Sequence, residues 1–174
     1  MKEALFQISG ATWSMHLTKD VVELLGSHAQ LDSRAPESVG QLYARDLTAS
    51  VIVIERATKL RAKSASRVKV KFDPKEAYAE RKVLFESGLH CVGLWHTHPE
   101  PTPSPSSDDR RLARDYALSA KSYVTGIMFA IVGNRPLPDG LRVWVDDGSN
   151  LLPANLIHAK PNHSNVLTDS AATR

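Results

Sequence analysis

The chain has 174 residues, of which 42% are hydrophobic and 24% charged, with a formal net charge of +3. These are the proportions of one globular domain, with no apolar run near the roughly 20 residues of a membrane-spanning helix and a basicity too mild to argue by itself for nucleic acid. The single cysteine, Cys91, excludes an internal disulfide and a cysteine zinc cluster, so His, Asp and Glu are the candidate metal ligands.

Residues 1–20 mix Lys2, Glu3, His16, Lys19 and Asp20 with short apolar pieces and lack a secretory pattern, so a soluble, cytoplasmic protein is expected. Trp13, Met15 and Leu17 alternate, which predicts a first strand over 11–17. Thr18 then reads as a cap for a helix over about 19–30, with Val21, Val22, Leu24 and Leu25 facing inward. Three strands are predicted at 39–44, 50–60 and 67–72, the middle one rich in β-branched residues, and together they suggest a meander. Asp73 followed by Pro74 predicts the N-terminus of a helix that ends before Gly88.

Leu89 to His98 reads as a strand, in which Cys91 serves as a small hydrophobe rather than a reactive thiol. A helix follows over about 106–123, and then strands at 124–132 and 141–145 separated by the turn-rich segment GNRPLPDG. Beyond Leu152 the periodicity fades. The expected layout is α+β, a mostly antiparallel curved β-sheet flanked by two or three helices, in one domain over residues 1–155 with a flexible tail over 156–174. The tail's His158 and His163 are not read as a second metal pair. Arg56, Lys59, Arg61, Lys63, Arg67, Lys69 and Lys71 form a basic stretch with no interleaved aromatic. It reads as a solvated edge or as a surface for an acidic protein partner.

The stretch LHCVGLWHTHPEPTPSPSSDD concentrates the chemistry. Side chains alternate along a strand, so His96 and His98 share one face while Trp95 and Thr97 share the other. Four prolines, from Pro99 to Pro105, stiffen the loop that follows. Ser106 and Asp109 then lie three residues apart at a helix start, on the face that carries Leu112 and Tyr116. Two imidazoles and one carboxylate would leave a tetrahedral Zn²⁺ with an open position, as in catalytic sites. Taken singly, each half has a plainer explanation: S-S-D-D is a capping box, and strand histidines often hydrogen-bond within a core. The ordered combination is what points to metal.

The string WHTHPEPTPSPSSDD resembles the signature of the JAMM/MPN metalloproteases, the JAB domain: H-[ST]-H-P, seven spacing residues counted from that proline, then S-x-x-D. The family's upstream E-x-x-G-x-L segment is matched by Glu37-Ser38-Val39-Gly40-Gln41-Leu42. The resemblance spans roughly residues 11–150, and it departs at Gln41 and Ala44, where relatives usually carry an apolar residue and a glycine. It implies an MPN/JAB fold with a cytidine-deaminase-like layout, Zn²⁺ held by His96, His98 and Asp109, Glu37 as general base and acid, and Ser106 as an oxyanion donor. Glu55 is the rival base, but it lacks the following glycine.

The implied activity is hydrolysis after the C-terminal tail of a ubiquitin-like protein, in deconjugation or precursor processing. The near-bare domain suggests a bacterial member, as in antiviral ubiquitin-like systems. A non-catalytic scaffold of the same fold and a DNA-associated JAB-fold protein are the alternatives, while a non-haem iron oxygenase fits the ligand spacing poorly.

Overall fold

The protein is described by a computed structural model over residues 2–32, 34–65 and 70–157; Arg67, Lys69 and residues 158–174 of the predicted tail, with His158 and His163, lie outside the described residues. In chain order the elements are β1 (Ala4–Ile8), β2 (Ser14–Leu17), α1 (Lys19–Ser27), β3 (Val39–Ala44), β4 (Val51–Ala57), β5 (Ala62–Ala65), β6 (Val70–Phe72), α2 (Pro74–Glu86), β7 (His90–Thr97), α3 (Ser107–Ala120), β8 (Ile127–Val132), β9 (Leu141–Asp146) and β10 (Leu151–Leu156). Asp73 caps α2 through its carboxylate, which accepts the Lys75 N–H at 2.9 Å, and Pro74 opens the helix. Thr18 holds the N-cap position of α1, but its hydroxyl makes no capping bond.

Eight strands close into a barrel in the order β1-β10-β9-β8-β7-β3-β4-β2. This corrects the expected mostly antiparallel curved β-sheet flanked by helices: the sheet closes on itself and is mixed, although most of its pairings are antiparallel. Closure depends on β1 and β10, which pair with each other through Phe6↔Leu156 and Ile8↔Ala154 and with β2 and β9 on their outer edges. Both are short, only partly buried and, in β10, interrupted by Pro153, so neither carries the alternation that marks a strand in sequence. Two pairs, β2 with β4 and β7 with β8, are parallel. The second is a β-α-β unit, with α3 as the crossover that parallel neighbours require. The expected meander also fails: β4 lies between β3 and β2, and β5 with β6 forms a separate hairpin.

The barrel interior is one apolar cluster, to which α1 adds Val21, Val22 and Leu25. Trp95 belongs to it, fully buried, with His28 stacked on its ring at 5.7 Å and its indole N–H donating to the Thr58 carbonyl at 2.8 Å. Gly40 faces Trp95 in the β3–β7 register. A Cβ there would run into the Thr58 carbonyl oxygen and the Trp95 indole, so the glycine is demanded by close approach and not by backbone conformation. Smaller clusters lie on the barrel's outer face, among them Val39, Leu60 and Ala77 with Phe72 on one side of the site, and Leu94, Ala113, Phe129 and Ile131 with Leu112 and Tyr116 on the other.

Cys91 packs beside Leu84 and Leu89 on this outer face, and burial pushes its thiol up to about 11. At pH 8 its thiolate fraction is then about 0.1%, so iodoacetamide is expected to label the native protein hardly at all and the urea-unfolded protein readily. Gly40→Ala is expected to cost about 3 kcal/mol in urea denaturation, because Trp95 must shift within a closed core.

Candidate metal centre

The outer face of β3 and β7 carries the predicted residues. Because directly paired residues share a face, the register Val39↔His96 aligns Val39 with His96, and the alternation along each strand adds Leu94 and Gln41. His96 and His98 are both buried, at the end of β7, with Phe129 tilted beneath His96 at 5.2 Å. The backbone N–H of His98 donates to the Val132 carbonyl at 2.9 Å, which continues the pairing with β8 one residue past Thr97. Asn134 holds the loop that follows, donating from its side chain to the Pro99 carbonyl at 3.2 Å and from its backbone to the Glu100 carbonyl at 2.9 Å.

Asp109 comes from the first turn of α3. Its backbone N–H donates to the Ser106 hydroxyl at 3.2 Å, and its carboxylate accepts the Ser106 N–H at 2.8 Å, which completes the capping box. The same carboxylate reaches both imidazoles, with Oδ1 3.3 Å from His96 Nε2 and Oδ2 3.5 Å from His98 Nε2. The two Nε2 atoms are 2.9 Å apart. The cap and the metal-ligand readings of Asp109 are therefore compatible, since each oxygen has two lone pairs.

One donor atom from each of the three residues falls within 4.8 Å of the others, among the described residues. Around a tetrahedral zinc with bonds of about 2.0–2.1 Å, donor atoms stand roughly 3.3 Å apart, which is the scale observed here. The donor chemistry also fits. Burial lowers the pKa of His96, partly opposed by Asp109, so its imidazole is held neutral. Burial alone would raise Asp109, but hydrogen bonds from His96 and His98 take it well below the usual carboxylate range. For His98 burial lowers and Asp109, Glu37 and Glu100 raise, and the carboxylates prevail. A divalent cation would stand in for that proton, and the affinity for it must fall as pH drops through the histidine range.

Glu37 precedes β3 and is buried, with Oε1 3.9 Å from His98 Nε2. Its position is set by Thr97, which the alternation along β7 turns away from the two imidazoles. The buried Thr97 hydroxyl accepts the Ser38 N–H at 2.9 Å, and the Thr97 N–H donates to the Ser38 carbonyl at 3.0 Å. The hydroxyl between the two histidines was the available signal. Glu55, by contrast, is exposed on β4 and paired with Arg45 at 3.2 Å. Glu37, His96, His98, Ser106 and Asp109 line an open cleft of ≈ 510 Å³, with Val39, Leu94, Leu112 and Phe129 below and Lys71 and Phe72 of the hairpin on one wall.

A family model described as prokaryotic homologs of the JAB domain matches residues 18–146. The chain is 32% identical over 120 residues to a protein of Vibrio cholerae named CD-NTase/cGAS isopeptidase, covering 66% of this chain and 73% of that one. It is 24% identical over 139 residues to a protein of the same name from Enterobacter hormaechei (78% and 76%), and 29% identical over 101 residues to the desampylase of Haloferax volcanii (57% and 72%). In fold it is similar to a solution structure of a protein from Desulfitobacterium hafniense, with a TM-score of 0.57 at 22% identity over 79% of this chain and 87% of that one.

Thr97→Val removes the acceptor for Ser38 while keeping the shape, leaving a partly buried N–H unsatisfied. The expected result is a loss of about 1–3 kcal/mol in stability, with Thr97→Ser close to wild type, as measured by urea denaturation.

Proposed function

Because the chain belongs to the family of prokaryotic homologs of the JAB domain, we propose that it is a zinc-dependent isopeptidase or peptidase cleaving after the C-terminal tail of a ubiquitin-like protein. The observation that carries this reading is the convergence of His96, His98 and Asp109 beside the buried Glu37 carboxylate. The isopeptidase and desampylase names of its relatives support the reaction class.

His96, His98 and Asp109 would hold the ion, and when bound it supplies Lewis acidity, making water more acidic and polarising a carbonyl. Glu37 accepts the proton of the attacking water at its carboxylate. As the C–N bond breaks, it returns that proton to the leaving amine, so no covalent enzyme intermediate forms. Ser106 accepts the Asp109 N–H at its hydroxyl oxygen and keeps its own proton to donate to the carbonyl oxygen as negative charge develops. The apolar floor of Val39, Leu94 and Phe129 excludes water beneath the reacting bond and strengthens these interactions. An extended tail suits the open cleft, lying beside the hairpin strand that contributes Lys71 and Phe72.

Both bacterial relatives are named for CD-NTase/cGAS, so a ubiquitin-like conjugate of such an enzyme is the first substrate to test, followed by a linear fusion. Purified protein is expected to hold one zinc, to lose cleavage on chelation and to regain it with zinc. Glu37→Gln should retain the metal and cut kcat by about 10²–10⁴-fold. Equal cleavage by wild type and Glu37→Gln would overturn the role of Glu37, and a protein that takes up no zinc would overturn the metal centre.

A further inference from the structure

Gln41, one of the two departures from the family pattern, is fully buried at the centre of a polar network beneath α2. Its amide nitrogen donates to Glu80 Oε1 at 2.8 Å, and Tyr43 and Thr58 donate to that same oxygen at 2.8 and 2.6 Å. Arg81 donates to the Gln41 side-chain amide oxygen, Oε1, at 2.7 Å, which fixes its guanidinium on the barrel's outer face. From there the guanidinium lies over the Tyr116 ring, 5.6 Å from its centroid. Tyr116 is on α3, seven residues after Asp109, and so on the same side of the helix. Its ring also meets Phe72 of the hairpin edge-on at 6.5 Å.

Arg114, two residues before Tyr116, is about 200° away around the helix and reaches the opposite flank. There its Nε donates to the buried Asp146 carboxylate at 2.9 Å. The helix that presents Asp109 is thus gripped on two flanks by two guanidiniums, one reaching out from α3 itself and one reaching in from α2. Without either grip, α3 could roll on its small buried residues, Ala113 and Ala117. A roll of about 20° moves a carboxylate roughly 5 Å from the axis by about 2 Å, far more than metal coordination tolerates.

We propose that Arg81 is a positioning residue that acts through the Tyr116 ring to fix the rotation of α3, and with it the direction of Asp109; the inference rests on the metal-centre reading above. Arg81 does not line the cleft. Its effect is read in the metal and in the helix that presents one ligand.

The test compares Arg81→Met, Tyr116→Leu and Tyr116→Phe with wild type by zinc competition against a chromophoric chelator, and by hydrogen exchange of residues 107–111 in the metal-free protein. Arg81→Met and Tyr116→Leu are expected to weaken zinc binding about tenfold, as loss of an outer-shell partner typically does, and to speed exchange in that turn. Tyr116→Phe keeps the ring but loses the hydroxyl that Arg81 also engages, and should fall between wild type and Tyr116→Leu in both. If Arg81→Met does not fold, Tyr116→Leu carries the same comparison. Variants that melt earlier but match wild type in zinc affinity and in exchange over 107–111 would overturn the proposal and leave Arg81 a purely structural residue. Should wild type itself bind no zinc, the metal reading fails separately and the exchange data decide alone, with unchanged exchange again overturning the positioning role.

Discussion

The pairing of β3 with β7, which sets Val39 opposite His96 and Gly40 opposite Trp95, carries the rest of the structure. A slip of one residue would turn Gln41 inward and present Gly40 on the outer face. The register is held from both faces at once. On the inside the indole of Trp95 fills the space a side chain at Gly40 would need, and on the outside Gln41 meets its partners under α2. Just before the strand, the exchange of hydrogen bonds between Ser38 and Thr97 extends the pairing to Glu37.

The same register explains why the cleft lies outside the barrel. The interior is filled by side chains of the strands and by α1, as expected of an eight-stranded barrel. Polar groups that must remain accessible have to sit on the outer face, between elements packed against it. One wall is α3; the other is the β5–β6 hairpin with α2, and two of the outer hydrophobic clusters lie beneath these walls. Tyr116 of α3 reaches across to the opposite wall, where it meets Phe72 of the hairpin and Arg81 of α2.

Asp109 shows how one residue can satisfy two requirements. A helix N-terminus buried near other groups must satisfy its free N–H groups, and the capping box does so with Ser106 and Asp109. That bond orients the carboxylate toward the imidazoles and favours its charged form beside them. Stability of the helix start and geometry at the donor cluster therefore share the same atoms.

Much of this was legible in local sequence. The helix starts at Asp73 and Ser106, the alternation of His96 with His98 and the S-x-x-D spacing depend on neighbours a few residues apart, which a periodic pattern exposes. The family, too, is carried by such short motifs. Barrel closure was not legible: β1 and β10 lie at opposite ends of the described chain and are strands chiefly because each completes the other's hydrogen bonds. Nor was the work of Thr97, Arg81 and Asn134, each of which bonds to a partner at least 35 residues away. By itself the sequence determined which side chains could hold a metal and which strand and helix bear them. Only the tertiary structure decided that the sheet closes and that α3 is gripped on two flanks, because hydrogen bonds between distant segments leave no periodic trace along the chain.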